Sequence, residues 1–228
     1  MLHNHIPKQY LNNKKKLESV SKYVDHWIVG SKVIQNQLID YCSVNKKDIS
    51  LVHYGVKPRF FPDEKLRSRT RKKLKISEDA FVVLHPSNFE KRKGHYFTIS
   101  AFRELLSKHP SAKLILAGND GYYFEHVTTL IRKYKISDSV LLPGFYSPFE
   151  ELLSVVDVLC LPSQEYDTTP LVILLALACK IPVITTDRED FSDILFDGYN
   201  ALLVPTGNYK SISTKLIDLA EGKVDIEK

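Results

Sequence analysis

From residue 78 onward the chain alternates between two patterns. Short, almost wholly apolar runs at 81–84, 114–117, 140–142, 158–161, 183–186 and 202–204 recur between longer stretches with helical spacing. Runs of this length without polar alternation suit strands covered on both faces. The stretches 96–108, 123–134, 149–156 and 170–180 place apolar residues three and four apart, the period of a helix with one buried face. Strand followed by helix, repeated, predicts an α/β fold: a doubly wound parallel Rossmann-like sheet of six strands over residues 78–220.

Before residue 78 the pattern is thinner. Helical spacing covers 14–24 and 33–41, strand-like runs cover 27–30 and 49–53, and Pro and Gly punctuate a linker at 54–62. A basic helix is expected over 64–75. Two strands do not close a sheet, so residues 1–77 read as the remnant of a preceding domain with its linker, and 78–228 as the second domain. Trp27, Ile28, Val29 and Val33 find no complete core in so short a segment, which predicts exposed apolar surface there.

Composition narrows the class. Apolar residues at 43% and charged residues at 26% of 228 residues fit a globular chain able to bury a core. A net charge of +5 suits an anionic ligand, a membrane surface or nucleic acid equally. Cys42, Cys160 and Cys179 have no metal-like spacing, and the last two lie in apolar runs, which points to a reducing compartment. The longest apolar run, 171–179, is about half what a bilayer needs. No signal-peptide pattern opens the sequence, and the expectation is a cytoplasmic protein.

In a doubly wound sheet, ligands bind beyond the carboxyl ends of the strands. That rule selects the loops 86–94, 118–121, 144–148, 162–170 and 187–190. In the first, Ser87-Asn88-Phe89-Glu90-Lys91-Arg92-Lys93-Gly94 carries three adjacent cations into a helix start, a place for phosphate or simply a solvated charge run. In another, Asp167-Thr168-Thr169-Pro170 opens a helix, with Thr169 as N-cap and Pro170 in the first turn. Free amides at Leu171 and Val172 would face the crevice. Asp167 could accept from sugar hydroxyls or only favour the helix dipole. The Asp187–Asp190 segment reads as a helix start rather than a metal motif, and no metal is implied.

These landmarks together resemble the C-terminal, donor-binding half of the retaining glycosyltransferases of family 4, which have the GT-B fold. Asp25-His-Trp-Ile-Val-Gly-Ser31 is similar to the family's aspartate, apolar run and serine. His53-Tyr-Gly-Val56 with Phe61-Pro62 resembles its linker. Lys93-Gly94, Ala117-Gly118, Leu142-Pro-Gly144, Leu161-Pro-Ser163, Ala176-Leu-Ala-Cys-Lys-Ile-Pro-Val183 and Gly198-Tyr-Asn-Ala-Leu-Leu-Val204 follow in the family's order.

The resemblance implies transfer of a sugar from a nucleoside diphosphate sugar with retention, without a protein nucleophile and without a cofactor beyond the donor itself. Lys93, with Gly94 and the amides at Leu171 and Val172, would bind the diphosphate. The family's partner arginine falls at Asn88; Ser87-Asn88-Phe89 resembles the variant of the bacillithiol-pathway branch, and Arg92 could supply the second charge. Gly118, Tyr146, Thr168, Thr169 and Pro170 fall at donor sugar and nucleotide positions. Of the family's Glu-x7-Glu pair, the first falls at Asp167 and the second at Leu175, which cannot accept from a ribose. His3 or His5 stands about where a first-domain active-site histidine would be.

Against the enzyme stands a non-catalytic reading, a donor module acting as partner or scaffold. In either case the isolated chain is expected to be inactive, with a separate chain as the source of the acceptor domain. The basic runs Lys14–Lys16 and Arg67–Lys73 read as solvated faces rather than nucleic-acid sites, with peripheral contact at the inner membrane face as their alternative use.

Overall fold

The computed structural model describes residues 19, 21–165, 171–188 and 192–224. They fall into two compact units. The smaller holds the described residues before Val56 together with Leu171, Arg188 and 192–195; the larger takes in Val56–Glu165, Val172–Asp187 and the residues from Phe196 onward.

In the smaller unit, β1 (Trp27–Val29) and β2 (Ile49–Leu51) pair in parallel, with α1 (Lys32–Cys42) between them in sequence. Ser31 caps α1 by accepting from the amide of Ile34 at 3.4 Å. The Asp193 carboxylate adds a second cap, accepting from the amide of Lys32 at 3.0 Å. Val29, Ile34, Leu38, Cys42 and Ile49 close a small core with Trp27, Ile39, Val44 and Leu51 packed against it. Val29, expected to lack a core, is thus fully buried, because its strand finds a partner in β2 and a cover in α1. Ile28, on the opposite face of the same strand, is 45% exposed. The helix expected over 14–24 falls largely outside the described residues.

The larger unit begins with α2 (Glu64–Lys73), capped by Asp63 accepting from the amide of Leu66 at 3.0 Å. Glu64 in its first turn and Arg71, Lys72 and Lys73 in its last complement the helix dipole. The chain then alternates β3 (Val82–Pro86), α3 (His95–Lys108), β4 (Lys113–Ala117), α4 (Phe124–Tyr134), β5 (Val140–Gly144), α5 (Phe149–Val155), β6 (Val158–Leu161), α6 (Leu171–Ala178), β7 (Val183–Thr186), β8 (Leu202–Val204) and α7 (Tyr209–Ala220). The six strands form one parallel sheet in the order β5-β4-β3-β6-β7-β8. This is the Rossmann-type order expected from the sequence.

Side chains alternate across each strand, so one parity faces each layer. Val83, Leu114, Leu116, Val158, Cys160, Ile184, Leu202 and Val204 join Ile99, Phe102, Leu105, Val127, Leu130, Ile131, Ile212 and Leu216 of α3, α4 and α7 in the main core. The other parity, Val82, Leu84, Ile115, Leu159 and Val183, is as fully buried. β5, one of the two edge strands of the sheet, departs from the doubly covered expectation, with Leu142 40% exposed.

The basic helix α2 is in part the solvated face its composition suggests, with Arg69, Lys72 and Lys73 exposed, but Arg67 and Arg71 turn inward. Arg71 is fully buried and donates to Asp157 Oδ2 at 3.0 Å and to the carbonyls of Ser77, Glu78, Ala80 and Val155 at 2.9–3.0 Å. Arg67 donates to Asp157 Oδ1 at 2.6 Å. Arg69 and Lys73 pair with Glu151 at 3.7 and 2.8 Å. Arg67 and Arg71 are therefore committed within the unit, whereas Arg69 and Lys73 form exposed ion pairs.

Candidate functional site

The strand order reverses between β3 and β6, which pair in parallel through Val83–Val158 and Leu84–Leu159. Beyond their carboxyl ends the two following loops meet. Gly94 has φ +80°, and a Cβ there would lie 2.1 Å from the carbonyl oxygen of Pro162. Only glycine satisfies both the left-handed backbone and that approach. The amide of Gln164 donates to the carbonyl of Arg92 at 2.7 Å, and the Thr186 hydroxyl to the carbonyl of Ser163 at 2.7 Å. On the other side, a Cβ at Gly118 would lie 2.1 Å from the carbonyl oxygen of Ser87. The rim of the crevice is thus fixed by close backbone contacts.

Within this rim, Lys91–Lys93 form one 3-10 turn that delivers Lys93, half-buried, to the start of α3. Arg92 donates from Nε to Glu90 Oε2 at 2.7 Å, so its charge is offset locally. The Asn88 side chain accepts from the amide of Asn119 at 3.2 Å, and the Tyr122 hydroxyl accepts from the amide of Lys91 at 3.2 Å. Tyr146 donates to Glu151 Oε2 at 3.1 Å and carries the Lys73 ammonium 5.4 Å above its ring, which ties its side chain to the α2–α5 ion pairs. Lys93, Gly94, Asn88, Arg92 and Gly118 are brought together, whereas the Tyr146 hydroxyl points to α5. Leu171 and Val172 open α6, and Leu175 is 8% exposed. His3, Asp167, Thr168, Thr169 and Pro170 lie outside the described residues.

Residues that the sequence did not single out lie directly beneath the Lys93 turn. His85 Nδ1 is 2.8 Å from the Thr98 hydroxyl and Nε2 is 3.0 Å from the Ser87 hydroxyl, which in turn lies 3.4 Å from His95 Nε2. The two imidazoles are fully buried, with centroids 4.1 Å apart, and Phe89 stacks on His95 at 4.8 Å. Burial pushes the His95 ring down to about 4, with Lys93 adding to the effect, and holds His85 well below its ordinary value. A folded-state value depressed below the unfolded one favours the neutral fold above about pH 6.5, and that stability is lost as pH falls through about 4. At about 1.4 kcal/mol per unit, His95 alone should cost about 2 kcal/mol by pH 5. Thermal melts at pH 8 and pH 5 should show this loss; an unchanged midpoint would contradict two neutral buried rings.

Among the described residues no group of three or more His, Cys, Asp or Glu side chains is placed to hold a metal ion. Nor is any helix of the described residues long and apolar enough to cross a membrane.

Comparison with known proteins agrees with this geometry. The family model for glycosyl transferases group 1 matches residues 67–228. The chain belongs to that family. Among curated relatives, N-acetyl-alpha-D-glucosaminyl L-malate synthase of Bacillus anthracis is 27% identical over 235 residues, covering 94% of this chain and 61% of the relative. The putative glycosyltransferase EpsD of Bacillus subtilis is 29% identical over 154 residues, covering 67% of this chain and 40% of that protein.

Solved structures share the fold. HepE of Anabaena, in complex with UDP and glucose, superposes with TM-score 0.87 at 19% identity, over 97% of this chain and 61% of that one. The C-terminal domain of the glycosyl transferase group 1 family protein LpcC from Francisella tularensis superposes with TM-score 0.66 at 21% identity, over 74% of this chain and 90% of that domain. The larger unit is accordingly a Rossmann-like domain of the GT-B type. The chain spans 39–61% of the length of the curated relatives it matches.

Proposed function

We propose that the larger unit is the donor half of a retaining glycosyltransferase of family 4, binding a nucleoside diphosphate sugar in the β3–β6 crevice. The observation that carries the reading is the placement of Lys93 on a turn at the strand-order reversal, in a chain of this family. Glycine-closed loops hold that turn, and a cation there meets the charge that builds on the departing diphosphate. The amide of Val172, in the first turn of α6, is the neutral donor this reading assigns to the same oxygens. Retention follows if the diphosphate leaves from the face that the acceptor enters, which calls for no protein nucleophile. UDP is the first nucleotide to test, since the structural relatives from Anabaena were solved with UDP, with UDP and glucose, and with UDP-glucose. The acceptor is held by a domain outside these 228 residues, on the same polypeptide or a second one.

A non-catalytic module is the second reading, and Leu175 in the position of the ribose-binding glutamate favours it. Calorimetric titration with UDP separates the two. Binding is expected to be weak and to weaken further with salt, because phosphate contacts carry most of it. Lys93→Ala should remove a charge-assisted contact and cost about 1.5–3 kcal/mol of affinity. Binding that survives this change places the nucleotide elsewhere, and no binding by the unaltered chain favours the non-catalytic module.

A further inference from the structure

A polar chain lies beneath the Lys93 turn. Its hub is the Ser87 hydroxyl, which follows β3 and sits between His85 Nε2 at 3.0 Å and His95 Nε2 at 3.4 Å. A hydroxyl has one proton to give and lone pairs to accept with. Between two imidazole nitrogens it is satisfied when one ring is bare at Nε2 and the other carries a proton there. Opposite tautomers of two neutral rings meet this pattern, one accepting the hydroxyl proton at Nε2 and the other donating from Nε2. Were both Nε2 atoms protonated, the hydroxyl could only accept from them and its own proton would need another acceptor.

Burial and the neighbouring charge favour neutral rings, against the backbone of Glu90 and Ser87, which favours a proton on His95. Lys93, on the turn above, disfavours a proton on either ring. From β6, the Cys160 thiol lies 3.6 Å from the Thr98 hydroxyl, and burial pushes it up to about 12, so it stays uncharged. No carboxylate side chain is among the groups that shift the two rings. The chain joins three pieces of the rim: His85 in β3, Ser87 at the start of the loop, and His95 in the first turn of α3. The loop that lifts Lys93 into the crevice is thereby anchored at both ends to one half-buried hydroxyl.

We propose that Ser87, held between His85 and His95, is a positioning residue that sets the conformation of the Lys93 loop for diphosphate binding. The proposal rests on the donor reading for its ligand and on the described contacts for its geometry. Three measurements on Ser87→Ala and Ser87→Thr test it in the full chain. Long-range nitrogen–proton spectra should show opposite, fixed tautomers for His85 and His95 in the unaltered chain, averaged in Ser87→Ala. Amide exchange of Asn88 to Lys93 should speed up about tenfold in Ser87→Ala, the loss of one well-placed hydrogen bond, while β4 is unchanged. UDP affinity should fall by a similar factor, and Ser87→Thr, which keeps the hydroxyl, should restore all three. If Ser87→Ala leaves tautomers and loop exchange as they were, or UDP binds it undiminished, the proposal is overturned. If UDP binds none of the chains while tautomers and exchange respond as expected, the positioning role stands and the donor reading fails.

Discussion

Replacing Leu175 by glutamate is expected to destabilise the fold by about 3–5 kcal/mol, the range for a buried charge left without a partner. The sequence comparison invites the opposite hope, since the change would recreate the family's second glutamate and offer a ribose acceptor. Leu175 is 8% exposed, however, between Ile173 and Ala176, both buried, on a helix with no charged residue in 171–178. A carboxylate placed there meets no cation on its own helix. For a chain of this size the loss corresponds to a fall of about 6–20 °C in melting midpoint. A melt unchanged by Leu175→Glu, with tighter UDP binding, would show that the side chain reaches the crevice after all.

Asp157→Ala is expected to have an effect of the same size, about 3–5 kcal/mol, for the complementary reason. Its carboxylate accepts from Arg67, Arg71 and the amide of Val82 at 2.6, 3.0 and 2.7 Å. Removing it leaves the fully buried Arg71 guanidinium with only backbone carbonyls. Asp157→Asn keeps an acceptor but no charge, so it should fall between the two. Urea unfolding of the three chains checks the order; equal midpoints would mean that the carbonyls alone satisfy Arg71.

The sheet was legible because its runs are long in β-branched and leucine residues, and five of six strands are covered on both faces. β5 was legible as a strand but not as an edge, since its run of apolar residues gives no sign of which neighbour is missing. The rim loops followed from topology, and Lys93 and Gly94 from the family resemblance. Arg67 and Arg71 escaped the reading although they share a stripe with Thr70 and Leu74 at helical spacing. Three of those four residues are polar, and the carboxylate that draws the arginines inward is more than eighty residues away in sequence. The His85–Ser87–His95 chain escaped for a similar reason: nothing in the spacing says that a strand histidine and a helix histidine face one hydroxyl.

The Asp157 clamp and the Lys93 turn stand at opposite ends of the same two strands. A four-residue strand such as β6 separates its end residues by about 10 Å, and the partners of Asp157, namely Arg67, Arg71 and the amide of Val82, all lie at the amino end. A change at the amino end that keeps the strands in place therefore leaves the contacts of the carboxyl end as they are. Mutational drift can retune the robustness of this domain at its base without disturbing what its upper edge selects, and an engineer seeking a hardier variant can work there first.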